Sequence, residues 1–100
     1  MSSDRAWYET GMLKAYVGIA TDEGLCSLHP ERDDTMKYVC RAVRSERPRV
    51  GFWAVLDETQ ARCVQALFDG GLHREAMLFL DRTAKDMGRI LPSDPRPDLH

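Results

Sequence analysis

Residues 50–56 read Val50-Gly51-Phe52-Trp53-Ala54-Val55-Leu56, and every one of them is apolar. Successive residues of a strand point to opposite faces, so a strand that is apolar at every position is buried on both faces. Pro48 precedes the run and Asp57-Glu58 follow it, which marks its two ends. We therefore expect a central strand over Val50–Leu56, against which the rest of the chain packs.

The bulk composition is typical of one small globular domain. The chain has 100 residues, of which 43% are hydrophobic and 30% are charged, and its net charge is −2. We expect a single domain over residues 1–91 and a Pro-rich tail over 92–100. The acidic balance argues against a dedicated nucleic-acid binder. No apolar run reaches the ~20 residues of a membrane helix, and Met1–Arg5 does not resemble a signal peptide. We therefore expect a cytoplasmic protein without membrane contact.

Two strands and a helix are expected before the central strand. Apolar residues alternate with other residues over Met12–Ala20, as in a half-buried strand. Thr21–Gly24 has the composition of a turn, and Leu25–His29 would return beside the first strand as a half-exposed edge. Pro30 and the acidic residues after it suit the start of a helix that ends at Pro48. The apolar residues of this helix recur at helical spacing: Met36, Val39, Cys40 and Val43.

Two helices are expected after the central strand. Asp57 and Gln60 have the spacing of a capping box at the start of the first helix, and Asp69-Gly70-Gly71 ends it. The second helix is expected over Leu72–Leu91, where apolar residues recur on one side: Ala76, Phe79, Leu80, Met87 and Ile90. Its first part, Gly71–Ala76, is similar to the middle of a tetratricopeptide repeat. There is no second copy, so the resemblance implies only a pair of packed helices.

The combined prediction is an α+β domain with the order ββαβαα. The crossover helix makes the third strand parallel to the second, so a small antiparallel three-stranded sheet of order 2-1-3 follows. With helices on one face only, Tyr16, Trp53 and Val55 would face water on the other face. Two solutions remain open. A homodimer or a protein partner covers that face, or the C-terminal helical hairpin folds over it.

No motif in the sequence specifies a chemistry. Cys26-Ser27-Leu28-His29 has the spacing of half a zinc site, but Cys40, Cys63 and His73 supply no second close pair. Three widely spaced cysteines are also unlike a disulfide framework. The sequence contains no Gly-rich phosphate loop, no paired-histidine zinc motif and no serine elbow. We therefore expect no metal, no cofactor and no enzymatic activity.

The predicted role is binding to a larger protein, as an adaptor, an inhibitor or a regulatory subunit. Aromatic residues and Arg are enriched at protein interfaces, so the expected contact residues are Trp7, Tyr8, Trp53, Arg41 and Arg44. The alternative is binding of nucleic acid or phosphate by the densest cationic cluster of the chain, which is Lys37, Arg41, Arg44, Arg47 and Arg49. Salt separates the two roles, because only binding through phosphates collapses as ionic strength rises.

Overall fold

A computed structural model describes residues 12–45 and 48–91. Their elements, in chain order, are β1 (Leu13–Thr21), β2 (Gly24–Pro30), α1 (Asp33–Ser45), β3 (Val50–Asp57), α2 (Glu58–Asp69), α3 (His73–Thr83) and β4 (Asp86–Ile90). None of these helices is long and apolar enough to cross a membrane. The predictions for Trp7, Tyr8, Arg47 and the tail over 92–100 lie outside the described residues.

The strands form one antiparallel sheet in the order β2-β1-β3-β4. The domain is therefore α+β as predicted, but its sheet has four strands instead of three. β1 pairs with β3 along its length, from Leu13 opposite Asp57 to Ala20 opposite Val50. The register between β1 and β2 shifts after Ile19. This β-bulge leaves Cys26 opposite no residue of β1.

The prediction of one helix over Leu72–Leu91 is wrong for the second half of that range. α3 ends at Thr83, and the residues after Lys85 form β4 beside β3. Met87 packs against one core cluster and Ile90 belongs to the other, so their three-residue spacing does not mark a helical face. Gly88 has a packing role, since a Cβ atom there would lie 2.5 Å from the indole of Trp53.

Helices cover both faces of the sheet, so the expectation that they cover only one is wrong. α2 and α3 bury one face, where the main contacts join Phe52, Ala54 and Leu56 to Val64, Ala76 and Leu80. α1 packs on the opposite face, where the buried residues are Val17, Ile19, Met36, Val39, Cys40, Val43 and Ile90. The second solution, in which the C-terminal helical hairpin covers the face of Trp53, is therefore wrong: α1 lies on that face, and the hairpin packs on the opposite one. Tyr16 lies on the face of Ala54, opposite to the face of Trp53.

The predicted capping box fixes the start of α2. The Gln60 N–H donates to Asp57 Oδ1 at 2.7 Å, and the Asp57 N–H donates to Gln60 Oε1 at 3.0 Å. Gln60 Nε2 also donates to the carbonyl oxygen of Thr83 at 2.8 Å. The same side chain therefore holds the start of α2 against the end of α3.

α1 covers only part of its face of the sheet. A Cβ atom on Gly51 would lie 3.0 Å from Val43, so the helix sits directly over that end of β3. Towards the other end of the strands, Trp53 and Val55 are half-buried and Leu13 is 45% exposed. The uncovered apolar area of the sheet is therefore smaller than the sequence predicts.

Candidate functional site

The outer edge of β2 pairs with no strand of the described chain. Such an edge presents backbone N–H and C=O groups that can pair with another chain. At its start the edge is closed by α3, because His73 Nδ1 lies 3.1 Å from the carbonyl oxygen of Leu25. From Cys26 to Pro30 every residue of β2 is half-buried or exposed. This segment is the open part of the edge.

A groove of about 320 Å³ lies between β2 and α2. We call it the β2 groove, and it is lined by Leu25, Cys26, Ser27, Leu28, His29, Val64, Gln65 and Phe68. The ring of Phe68 meets the ring of His73 edge-on, with 5.0 Å between their centroids. This contact lies beside Leu25, at the end of the groove where the lining residues Leu25, Val64 and Phe68 are apolar. Near its middle, Ser27 Oγ is buried without a hydrogen-bond partner among the described residues.

A second cleft of about 330 Å³ lies beside the first turn of α2. We call it the charged cleft, and its polar lining residues are Lys14, Tyr16, Glu58, Arg62 and Gln65. It shares Leu28 and Gln65 with the β2 groove, so the two adjoin each other. Arg62 forms an ion pair with Glu58 one helical turn away. Lys14 is exposed and has no ion-pair partner within residues 12–45 and 48–91.

Tyr16 supplies a neutral hydroxyl to the charged cleft. Burial raises the pKa of Tyr16 above its usual value of 10.0, and the negative charge of Glu58 raises it further. Both effects disfavour the phenolate, since one removes solvent and the other adds a like charge. At neutral pH this side chain is therefore available both to donate and to accept a hydrogen bond.

The predicted contact residues within the described chain lie outside the β2 groove. Trp53 is half-buried beneath α1, with its indole over Gly88. Arg41 and Arg44 are exposed on the outer surface of α1 together with Lys37. The structure thus brings the cations of α1 together, and it places Trp53 in the layer below them.

Sequence reasoning missed an aromatic residue on the α1 side of β2. Tyr38 is 53% exposed, and its ring meets that of His29 edge-on, with centroids 6.2 Å apart. The pair lines a shallow cleft of about 430 Å³. The available signal was the position of this large aromatic side chain between the core residues Met36 and Val39. The contact residues expected on this helix were cations only.

The cysteines and histidines do not converge. Among the residues that the structure describes, no three His, Cys, Asp or Glu side chains are close enough to hold a metal ion. Cys26 is half-buried in the β2 groove, Cys40 is buried on the inner face of α1, and Cys63 is exposed on α2. Asp57 and Glu58, which follow the central strand, are engaged in capping and in an ion pair.

Comparison with protein-family models, with curated proteins and with solved structures found no match to this chain.

Proposed function

We propose that this chain is a small non-enzymatic interaction protein that binds a segment of a larger protein partner. The observation that carries the proposal is the β2 groove, in which a strand edge that pairs with no other described strand runs beside Val64, Gln65 and Phe68 of α2. A segment laid along such an edge gains main-chain hydrogen bonds from the strand. Its alternate side chains would point towards Val64 and Phe68.

The dimensions of the site suit a short extended segment. The open edge from Cys26 to Pro30 is five residues long, which corresponds to about 16 Å of strand. Pairing along this length fills the edge without displacing α3, whose first residue already contacts Leu25. A groove of this kind would provide affinity through the backbone of β2 and specificity through the side chains of α2.

A peptide selection with a matched pair of variants tests the proposal. Gln65 lines the groove and Ala66 is the exposed residue next to it, outside the groove. We expect peptides selected from a random twelve-residue display library to bind the unmodified chain and Ala66→Trp. The same peptides should lose at least tenfold in affinity for Gln65→Trp, because the indole fills the groove. They should also protect the amides of residues 27–29 from hydrogen exchange.

Two results would contradict the proposal. One is that repeated selections enrich no peptide above the background of the support. The other is that the enriched peptides bind Gln65→Trp as tightly as Ala66→Trp. Circular dichroism of both variants checks that neither substitution has changed the fold.

A second candidate function is binding of nucleic acid or phosphate by the outer surface of α1. The observation in its favour is that Lys37, Arg41 and Arg44 are exposed together on one helix, with Arg49 exposed after it. Binding of a labelled single-stranded oligonucleotide should then fall steeply between low and moderate salt. It should be weakened further by Arg44→Glu. Failure to bind at low salt would remove this candidate.

The contact residues predicted from the sequence remain a prediction for the protein-binding role. Trp7 and Tyr8 lie outside the described residues, while Trp53, Arg41 and Arg44 lie on the face of the sheet that carries α1. A partner that extends from the β2 groove over the edge of the sheet would reach the cleft of His29 and Tyr38 first. Alanine substitution of Tyr38 in the presence of a selected partner would measure that extension.

A further inference from the structure

The β2 groove and the adjoining charged cleft follow each other along β2. We call the two together the channel, and its two ends differ in chemistry. At the end near Leu25, the wall consists of Val64 and Phe68. At the end near Pro30, it carries Lys14 and Arg62. Leu28 lies between the two ends and contributes to both. A ligand that fills the channel therefore meets an apolar surface and a cationic surface in a fixed order.

We propose that the segment bound in this channel carries an acidic side chain two residues before an apolar one. The inference rests on the proposed function, and it specifies the chemistry of the partner at the same site. The acidic group would lie at Lys14 and Tyr16, and the apolar side chain would lie against Leu28 and Phe68.

The spacing follows from the two elements that line the channel. Leu28 faces α2 and is opposite Gly18, and Pro30 is opposite Tyr16. An apolar side chain beside Leu28 and an acidic side chain beside Pro30 are therefore two residues apart along β2, which is about 7 Å. Arg62 and Phe68 are six residues apart on α2, which is about 9 Å. Side chains on one face of an extended segment are separated by an even number of residues. Two residues, at about 7 Å, match both lengths best.

The direction of the segment follows from the sheet. Every pair of neighbouring strands in it is antiparallel, and antiparallel pairing is the more stable arrangement per residue. β2 runs from the apolar end of the channel to the charged end. A segment that adds to its edge in the opposite direction enters at the charged end, so its acidic residue comes first.

Charge complementarity supports the acidic group. Lys14 and Arg62 carry two positive charges against the single negative charge of Glu58, and Lys14 has no ion-pair partner in the described part of the chain. The neutral hydroxyl of Tyr16 can donate to a carboxylate beside that ammonium group. An unpaired lysine next to a hydroxyl donor in a cleft that continues an apolar groove is suited to one carboxylate of an incoming peptide.

Synthetic peptides test the proposal. The probes are fluorescein-labelled nine-residue peptides with blocked ends, in which one Glu and one Leu stand in a Ser/Thr host. The Glu precedes the Leu by one, two or three positions, or follows it by two. Fluorescence anisotropy with the full chain should show the tightest binding for the peptide in which Glu precedes Leu by two positions.

Three changes should weaken this binding. Replacing the Glu by Gln should cost about fivefold, the upper end for a solvent-exposed ion pair, and Lys14→Glu should cost at least as much. Methylation of alternate backbone nitrogens in the peptide should abolish binding in one of the two registers, because the peptide then lacks the N–H groups that donate to the carbonyl oxygens of β2. Lys85→Glu changes an exposed cation outside both clefts and should leave the affinity unchanged.

The results also separate this proposal from the function on which it rests. Equal affinities for the Glu and Gln peptides, both lost in Gln65→Trp, would overturn the acidic preference and leave the peptide groove in place. If no probe binds and the display selection also fails, both proposals are refuted. A concentration-dependent dimer in sedimentation, lost in Gln65→Trp and kept in Ala66→Trp, would overturn the peptide partner in favour of a second copy of the chain.

Discussion

Replacing Gly24 by Ala tests how the start of β2 is joined to α3. Gly24 has a φ of +123°, and a Cβ atom there would lie 2.4 Å from the backbone of His73 and 2.6 Å from the nitrogen of Arg74. The backbone conformation costs an L-residue roughly 1–3 kcal/mol. Forcing a methyl group against backbone atoms, which cannot rotate away, adds roughly 1–3 kcal/mol. We expect Gly24→Ala to lower the free energy of unfolding by about 2–6 kcal/mol, out of the ~5–15 kcal/mol of a small domain.

Gly71 provides the matched control. Its φ is +80°, but a Cβ atom at this position would meet no other atom within 4 Å. Gly71→Ala therefore carries the conformational cost alone, roughly 1–2 kcal/mol. Urea denaturation followed by circular dichroism measures both variants, and Gly24→Ala should also melt at least roughly 8 °C below the unmodified chain. A Gly24→Ala variant as stable as Gly71→Ala would refute the packing of α3 on β2 and the closed end of the groove.

Three other substitutions test contacts at the cap of α2, at the Trp53 indole and in the charged cleft. Asp57→Ala removes the cap of α2 and should lower the free energy of unfolding, measured by urea titration, by roughly 0.5–2 kcal/mol. The control Thr59→Ala, at an exposed residue of the same turn, should not lower it. Equal losses in the two variants would contradict the capping role. Gly88→Ala places a methyl group 2.5 Å from the Trp53 indole, so it should displace the ring and shift its fluorescence to the red. The free energy of unfolding should fall by roughly 1–3 kcal/mol. Unchanged emission would contradict the contact between Gly88 and the indole. The pKa of Tyr16 is raised in the folded chain, so the contribution of this side chain to stability is present below pH ~10 and is lost as the pH rises further. Tyr16→Phe should lack this alkaline loss when the free energy of unfolding is measured against pH. Identical profiles for the variant and the unmodified chain would contradict the raised pKa.

Local patterns predicted most of the elements. The alternation in β1, the uninterrupted apolar run of β3 and the capping box of α2 each report on neighbours in sequence, and each is present in the structure. β4 was missed for the opposite reason. Its five residues are too few for a clear two-residue period, and Met87 and Ile90 fit a helical period by coincidence. Gly88, a residue that weakens helices, was the available signal.

The placement of the helices on the two faces could not be predicted from the sequence. Which face each helix covers depends on the register of β1 against β3, and that register is fixed by side chains far apart in the chain. The pairing of Tyr16 with Ala54 places Tyr16 beneath α2, whereas the sequence alone grouped it with Trp53. The observed position of Tyr16 therefore removes one argument for a partner on the face of Trp53.

The candidate site was predictable only in part. The sequence indicated that Leu25–His29 forms a half-exposed edge, and the structure places it at the edge of the sheet. The groove needs in addition Val64 and Phe68, which face β2 because α2 and α3 fold back over the sheet. No local motif encodes that approach, and the cation of Lys14 comes from yet another strand. The strand edge is therefore visible in the sequence, whereas the groove beside it depends on tertiary structure.

The position of β1 between β2 and β3 has a consequence for synthesis on the ribosome. Its first neighbour, β2, follows after a short turn, but its second neighbour is made only after the whole of α1. An isolated two-stranded hairpin is marginally stable in water. The nascent chain should therefore acquire protease resistance in one late step, once β3 has left the exit tunnel, and chaperones would meet the first half of the protein unfolded.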